Sequence, residues 1–125
     1  MIAYTTVGAN DMPRAGAFYD ALFAELGATR AWGTDKFIAW RTPAGGPMFA
    51  VAAPFDGNPA TFGNGVMIAL AGTSTDQVDR VYAKAIELGA TSEGPAGPRG
   101  THGFYAGYFR DPDGNKLNIS YTARR

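Results

Sequence analysis

The sequence predicts an α+β chain built from two βαβββ modules. Three observations carry that reading. Two stretches of helical periodicity end in the same tetrapeptide, Glu25-Leu26-Gly27-Ala28 and Glu87-Leu88-Gly89-Ala90. Trp40-Arg41-Thr42-Pro43-Ala44-Gly45 lines up with Phe109-Arg110-Asp111-Pro112-Asp113-Gly114. Between the halves lies a turn-rich stretch, Pro54 to Gly65, with two prolines and three glycines. A spacing of roughly 60–70 residues is too long for a solenoid repeat and suits two modules whose sheets meet. The expectation is one domain over 1–125, with a first module at about 1–55, a linker at about 54–65 and a second module at about 66–125.

Each element has its own signal. Ile2 to Gly8, rich in Tyr, Thr and Val, reads as a strand. Asn10 and Asp11 supply an N-cap, with Pro13 in the first turn. Ala15, Phe18, Leu22 and Leu26 then fall at helical spacing, Phe23 widens the stripe, and Gly27 stops the helix. Strands are expected at 29–33, 36–42 and 47–53, separated by Thr34-Asp35 and Pro43-Ala44-Gly45-Gly46. The second half repeats the order. Val66 to Leu70 is a strand, and Ser74-Thr75-Asp76-Gln77 is an S-x-x-Q capping box. Val78, Val81, Tyr82, Ala85 and Leu88 form a helical stripe closed by Gly89, and strands follow near 91–94, 104–110 and 115–122. Asp111-Pro112-Asp113-Gly114 is the last turn.

Composition narrows the function classes. Eleven Lys+Arg balance eleven Asp+Glu over 125 residues. A neutral chain lacks the basic excess that nucleic acid or an anionic membrane surface demands. The hydrophobic fraction of 46% is enough for a packed core. No apolar run approaches the ~20 residues of a membrane span, and the first residues carry no signal-peptide pattern. Cysteine is absent, which removes disulfide and thiolate chemistry and makes the cytoplasm the default compartment. One histidine, His102, and three glutamates, at helix ends or in a loop, leave few groups for a transition-metal site. Asp111 to Asn115 has its glycine fourth and Thr122 at position twelve, so it is a turn and not a calcium loop. Gly63-Asn64-Gly65 precedes a strand instead of following one, which excludes a dinucleotide fingerprint. Ser74 is a cap, Ser92 follows a helix stop, and no strained turn presents Ser120 as a nucleophile.

Three segments resemble the vicinal oxygen chelate superfamily of glyoxalases, bleomycin resistance proteins and extradiol dioxygenases. They are Val7 to Ala15 running into Phe18-Tyr19, Val66 to Leu70, and Phe109 to Leu117. The resemblance covers the whole chain. It implies eight strands in a curved mixed sheet around a small-molecule cavity, the glyoxalase/bleomycin resistance fold, and a homodimer. It also implies a divalent metal held by His and Glu on the first and last strands of each module. Tyr4, Phe49, Met67 and Asn118 stand at those positions here. No metal and no cofactor are therefore expected.

Strand alternation then assigns a cavity lining. Tyr4, Thr6, Phe49, Met67, Phe104 and Tyr108 form its walls, with Arg41, Arg110 and Asn118 as polar handles. This is the pattern of a small-molecule pocket, though the same rings are also able to fill the concavity themselves. The arginines are either anchors for an anionic group or solvated strand ends. His102, in the Gly-rich loop Pro98 to Gly103, is either a proton-transfer group or an exposed loop histidine. The leading functional expectation is a metal-independent protein that binds, and sequesters, a small partly aromatic or anionic ligand. The alternatives are an enzyme of the same superfamily (a lyase, an isomerase or dioxygenase-like) working through Tyr4, His102 or Tyr108, and a scaffold with a vestigial cavity.

Overall fold

A computed structural model describes residues 1–123. The chain divides into two compact units, residues 1–62 and a second that begins at Gly63. The first unit runs β1 (Tyr4–Gly8), α1 (Met12–Ala24), β2 (Thr29–Gly33), β3 (Phe37–Arg41) and β4 (Met48–Ala52). The second runs β5 (Ile68–Ala71), α2 (Thr75–Glu87), β6 (Thr91–Arg99), β7 (Phe104–Arg110) and β8 (Lys116–Thr122). The eight strands form two mixed four-stranded sheets of the same order, β1-β4-β3-β2 and β5-β8-β7-β6, neither closed. In each, the strand before the helix pairs in parallel with the last strand, and the remaining pairs are antiparallel. The long connection that a parallel pair requires runs through α1, β2 and β3 in the first unit and through α2, β6 and β7 in the second. Among the described residues no helix is long and apolar enough to cross a membrane.

The helices begin where short polar side chains satisfy free N–H groups. Asp11 accepts from the Arg14 N–H at 3.1 Å. Asn10 does different work from the expected cap: its carboxamide pairs with the backbone of Ala60, accepting at 2.6 Å and donating at 3.2 Å. Ser74 accepts from the Gln77 N–H at 3.0 Å, and Gln77 Oε1 reaches back to the Thr73 N–H at 2.8 Å. Gly27 and Gly89 adopt positive φ just past the helix ends, as C-terminal stops do.

In the first unit α1 lays Phe18, Tyr19, Leu22 and Phe23 on one face of its sheet, against Trp40, Phe49 and Val51. Tyr19 lies 5.7 Å from Trp40 and 4.9 Å from Phe49, ring centroid to centroid. The Trp40 indole N–H is buried and finds Asp20 Oδ1 at 2.9 Å. Arg30 grips the same carboxylate with two N–H donors, both at 2.9 Å, and its guanidinium lies 5.8 Å from the Trp40 ring. In the second unit Val78, Val81 and Ala85 of α2 cover Phe109, Leu117 and Ile119. Gly107 lets Tyr82 approach β7 closely, since a Cβ there would stand 2.9 Å from its ring.

The Arg30 hydrogen bond, aided by the one from Trp40 and opposed by burial, holds the Asp20 carboxyl below its ordinary pKa. A carboxyl lowered in the folded state adds stability that is complete above the unfolded value of about 3.9 and is lost as pH falls through the folded one. Asp20→Ala is therefore expected to destabilise the chain by about 1–3 kcal/mol near neutral pH, because it removes the ionised partner of Arg30 and strands the Trp40 N–H. The deficit should shrink in urea titrations repeated well below pH 4. An unchanged deficit there would remove Asp20 ionisation from the account.

Candidate functional site

Each sheet has one face under its helix and one face turned from it, and register assigns residues to each. In the second unit the Tyr105 hydroxyl donates to Asp79 of α2 at 2.7 Å, and Tyr82 lies over Gly107. Residues 105, 107 and 109 thus face α2, while Phe104, Ala106, Tyr108 and Arg110 face away. Tyr108 pairs with Asn118, which pairs with Ala69, and Arg110 pairs with Lys116. The candidate residues Phe104, Tyr108, Arg110 and Asn118 therefore share one face. Met67 stands just before β5 on the same side by alternation and is exposed.

Asn118 is the anomaly of this face. It is 3% exposed, and its Oδ1 is buried with no hydrogen-bond donor among the described residues. Orphan acceptors of this kind cost about 1–3 kcal/mol and persist in native proteins where something outside the chain satisfies them. Tyr108, opposite Asn118, has two cations near its ring: the Arg99 guanidinium at 5.4 Å and Lys116 Nζ at 5.8 Å from the centroid. Glu93 approaches Arg110 at 3.5 Å and Lys116 at 3.9 Å. Arg110 also donates to the Gly114 carbonyl at 2.8 Å. That carbonyl belongs to a turn built by Asp111, whose buried carboxylate accepts from the N–H groups of Asp113 and Asn115 and from the Asn115 side chain. The turn is thus satisfied by its own polar groups, and it fixes where Arg110 and Lys116 leave β7 and enter β8.

In the first unit Tyr4 and Thr6 lie on the face turned from α1, with Arg41 on the same side, and all three are exposed. The Tyr4 ring stands edge-on to Phe37 at 6.1 Å, and Phe37 lies 5.1 Å from Trp32. Together they make an aromatic group on that face.

Phe49 is a correction. It was expected on the face with Tyr4, but it packs on α1, with its ring 4.9 Å from Tyr19 and 5.1 Å from Phe23. The cause is one extra residue in the turn. Trp40 pairs with Phe49, whereas Phe109 pairs with Leu117, so eight residues lie between the first pair and seven between the second. Gly46 has no counterpart, and a one-residue slip moves every side chain to the other face. Ala50, which pairs with Ala39 and Thr6, is the true counterpart of Asn118.

Strand β6 supplies what the sequence reading missed. It runs to Arg99 instead of ending near residue 94, so the loop holding His102 shortens to the exposed turn 100–103. Glu93 lies within this strand. Gly94, Pro95, Gly97 and Pro98 read as turn residues, yet β6 is an edge strand, and its two register shifts accommodate them. Arg99 thereby reaches Tyr108. The signal available in the sequence was the Gly/Pro alternation next to a strongly predicted partner strand.

A divalent metal does not fit the positions that the resemblance implies. With register corrected they are Tyr4, Ala50, Met67 and Asn118: a phenol, a methyl group, a thioether and one neutral carboxamide. Hard and borderline divalent cations want imidazole or carboxylate donors. Among the described residues no three His, Cys, Asp or Glu side chains gather where they could hold a metal ion.

The sequence model of the Glyoxalase/Bleomycin resistance protein/Dioxygenase superfamily matches residues 1–119. A glyoxalase/bleomycin resistance protein from Albidiferax ferrireducens T118 has a similar structure, at 36% identity over 98% of this chain and 99% of that one, with TM-score 0.89. A glyoxalase-related enzyme from Fulvimarina pelagi shares the fold at 21% identity, covering 97% of this chain and 87% of that one, with TM-score 0.77. So does a lactoylglutathione lyase from Agrobacterium tumefaciens, at 21% identity, 97% and 92% coverage, and TM-score 0.71. No curated protein matches the chain. Family match and paired sheets agree, and the chain belongs to the Glyoxalase/Bleomycin resistance protein/Dioxygenase superfamily.

Proposed function

We propose that this chain binds a small organic molecule on the face of its second sheet turned from α2, holds it with its own side chains, and needs no divalent metal to do so. The observation that carries the reading is the buried acceptor of Asn118. Among the described residues nothing donates to that acceptor, and it lies on a face that also carries Tyr108, Arg110 and Lys116. Apolar surface with a few fixed polar groups is the usual make-up of a small-ligand site. Sequestration, with no bond made or broken, is the activity this proposal assigns. Of the three candidate proton-transfer groups, His102 lies in an exposed turn and Tyr4 is half exposed. Tyr108 stands beside cations that suit binding. A second copy of the chain belongs to the same reading, because β1 and β5 are outer strands of their sheets and unpaired edges call for cover.

A thermal-shift screen of aromatic acids, amides and amines tests the proposal. The expected result is a saturable rise in melting temperature that chelator leaves unchanged. A rise that appears only on adding a divalent cation would overturn metal independence, and no rise with any compound would overturn the binding reading. Light scattering on the same sample should give twice the monomer mass. A single-chain mass removes the second copy.

A further inference from the structure

We infer that the ligand of this face carries a carboxylate or phosphate group, and that Arg99 anchors that group side-on through its Nε and Nη2 nitrogens. The inference rests on the binding reading above and names the chemical group by which the ligand is recognised.

A donor count leads to this anchor. Arginine has five N–H donors and no acceptor. Arg99 uses three of them on backbone carbonyls: Nη2 donates to Pro95 at 2.7 Å, and Nη1 donates to Gly97 at 3.0 Å and to Pro98 at 3.3 Å. Nε–H and the second N–H of Nη2 have no partner among the described residues. These two nitrogens are neighbours on the guanidinium, and such a pair takes the two oxygens of a carboxylate or phosphate in parallel. Among the described residues no carboxylate pairs with Arg99. Glu93, the nearest in sequence, approaches Arg110 and Lys116 instead. The three carbonyls are neutral, so they hold the guanidinium in place without cancelling its charge.

Three features set Arg99 apart from an ordinary surface arginine. The carbonyl seat orders the side chain before any ligand arrives, which lowers the entropy cost of binding. The guanidinium lies 5.4 Å from the centroid of the Tyr108 ring, on the proposed ligand face. It is also reached from solvent: Arg99 is half-buried, and its hydrogen bonds to Pro95 and Pro98 lie at the surface. An oxyanion gripped there needs no enclosed cavity. Gly94 keeps a side chain away from Nη2, since a Cβ there would stand 3.2 Å from it and 3.6 Å from the Tyr108 ring. Two other arginines supply the contrast. Arg41 is exposed and has no partner among the described residues, so nothing orders it. Arg30 has its Nε–H already committed to Asp20 at 2.9 Å.

The test is a nuclear magnetic resonance titration of the whole chain that follows the arginine Nε–H signals. Sodium phosphate and sodium acetate are added separately, with sodium chloride holding the ionic strength constant. The Arg99 signal should shift and saturate, with a half-point of about 1–10 mM for one two-pronged grip. The Arg30 signal should stay in place, and the Arg41 signal should drift without saturating. A lower half-point for phosphate assigns a phosphoryl group to the ligand, and a lower one for acetate assigns a carboxylate. An Arg99 signal that does not move, or that moves together with Arg41, would overturn the anchor. A second arm uses the compounds found in the thermal-shift screen. Arg99→Lys keeps the charge and loses the paired donors, so it should weaken them by about tenfold. Compounds that bind the variant as well as the parent would overturn the anchor and leave the binding reading standing. A screen that finds no compound at all would overturn both.

Discussion

Trp40→Ala is expected to destabilise the chain by about 3–5 kcal/mol, the range for emptying a large aromatic site in a core. Trp40 is fully buried, its ring touches Tyr19 and Phe23, and its N–H holds the Asp20 carboxylate. The substitution removes that volume, breaks the ring contacts and unlinks the Asp20–Arg30 pair from the core. Domains of this size are stable by only about 5–15 kcal/mol, so a large share of the folded margin should go. Trp32→Ala is the internal control. Trp32 is 58% exposed and touches Phe37 from the surface, so its loss should cost about 1 kcal/mol or less. Urea titration followed by circular dichroism reads both. Equal costs would contradict the assignment of Trp40 to the core of the first unit.

Asn118→Leu should have the opposite sign on stability and the largest effect on binding. Leucine fills a similar volume and has no polar atom to bury. Removing an orphan acceptor should therefore raise stability by about 1–2 kcal/mol. Leu117 and Ile119, on the α2 side, are untouched by the change. Any ligand that donates to Asn118 should lose about tenfold or more in affinity. A variant more stable than the parent and weaker in binding is the expected signature of a residue kept for function. Lower stability with unchanged binding would mean that the carboxamide serves the fold, and the site reading would fail.

Most of the architecture was legible in the sequence because its signals are local and redundant. The helix stops at Gly27 and Gly89, the cap at Ser74 and the turn at Asp111-Gly114 each sit where backbone geometry requires those residue types. The equivalence of Trp40 and Phe109, read from the repeat, places both under a helix, as found. What stayed hidden depended on counting and on tertiary context. Phe49 went to the wrong face because a single inserted residue, Gly46, inverts strand alternation, and no composition signal reveals the insertion. Arg99 was missed because Gly94, Pro95, Gly97 and Pro98 carry the marks of a loop. Only pairing with β7 makes them an edge strand. The orphaned state of Asn118 was beyond any sequence reading, since it depends on which neighbours fail to donate.

The claim on which the functional account rests is that this chain uses side chains where its superfamily resemblance implies a divalent metal. The direct test is metal content. Protein purified without chelator, dialysed against metal-free buffer and assayed by mass spectrometry of the elements should carry far less than one divalent ion per chain. It should still bind the compounds that raise its melting temperature in the thermal-shift screen after treatment with chelator. One firmly held divalent ion per chain, whose removal abolishes binding, would contradict the account.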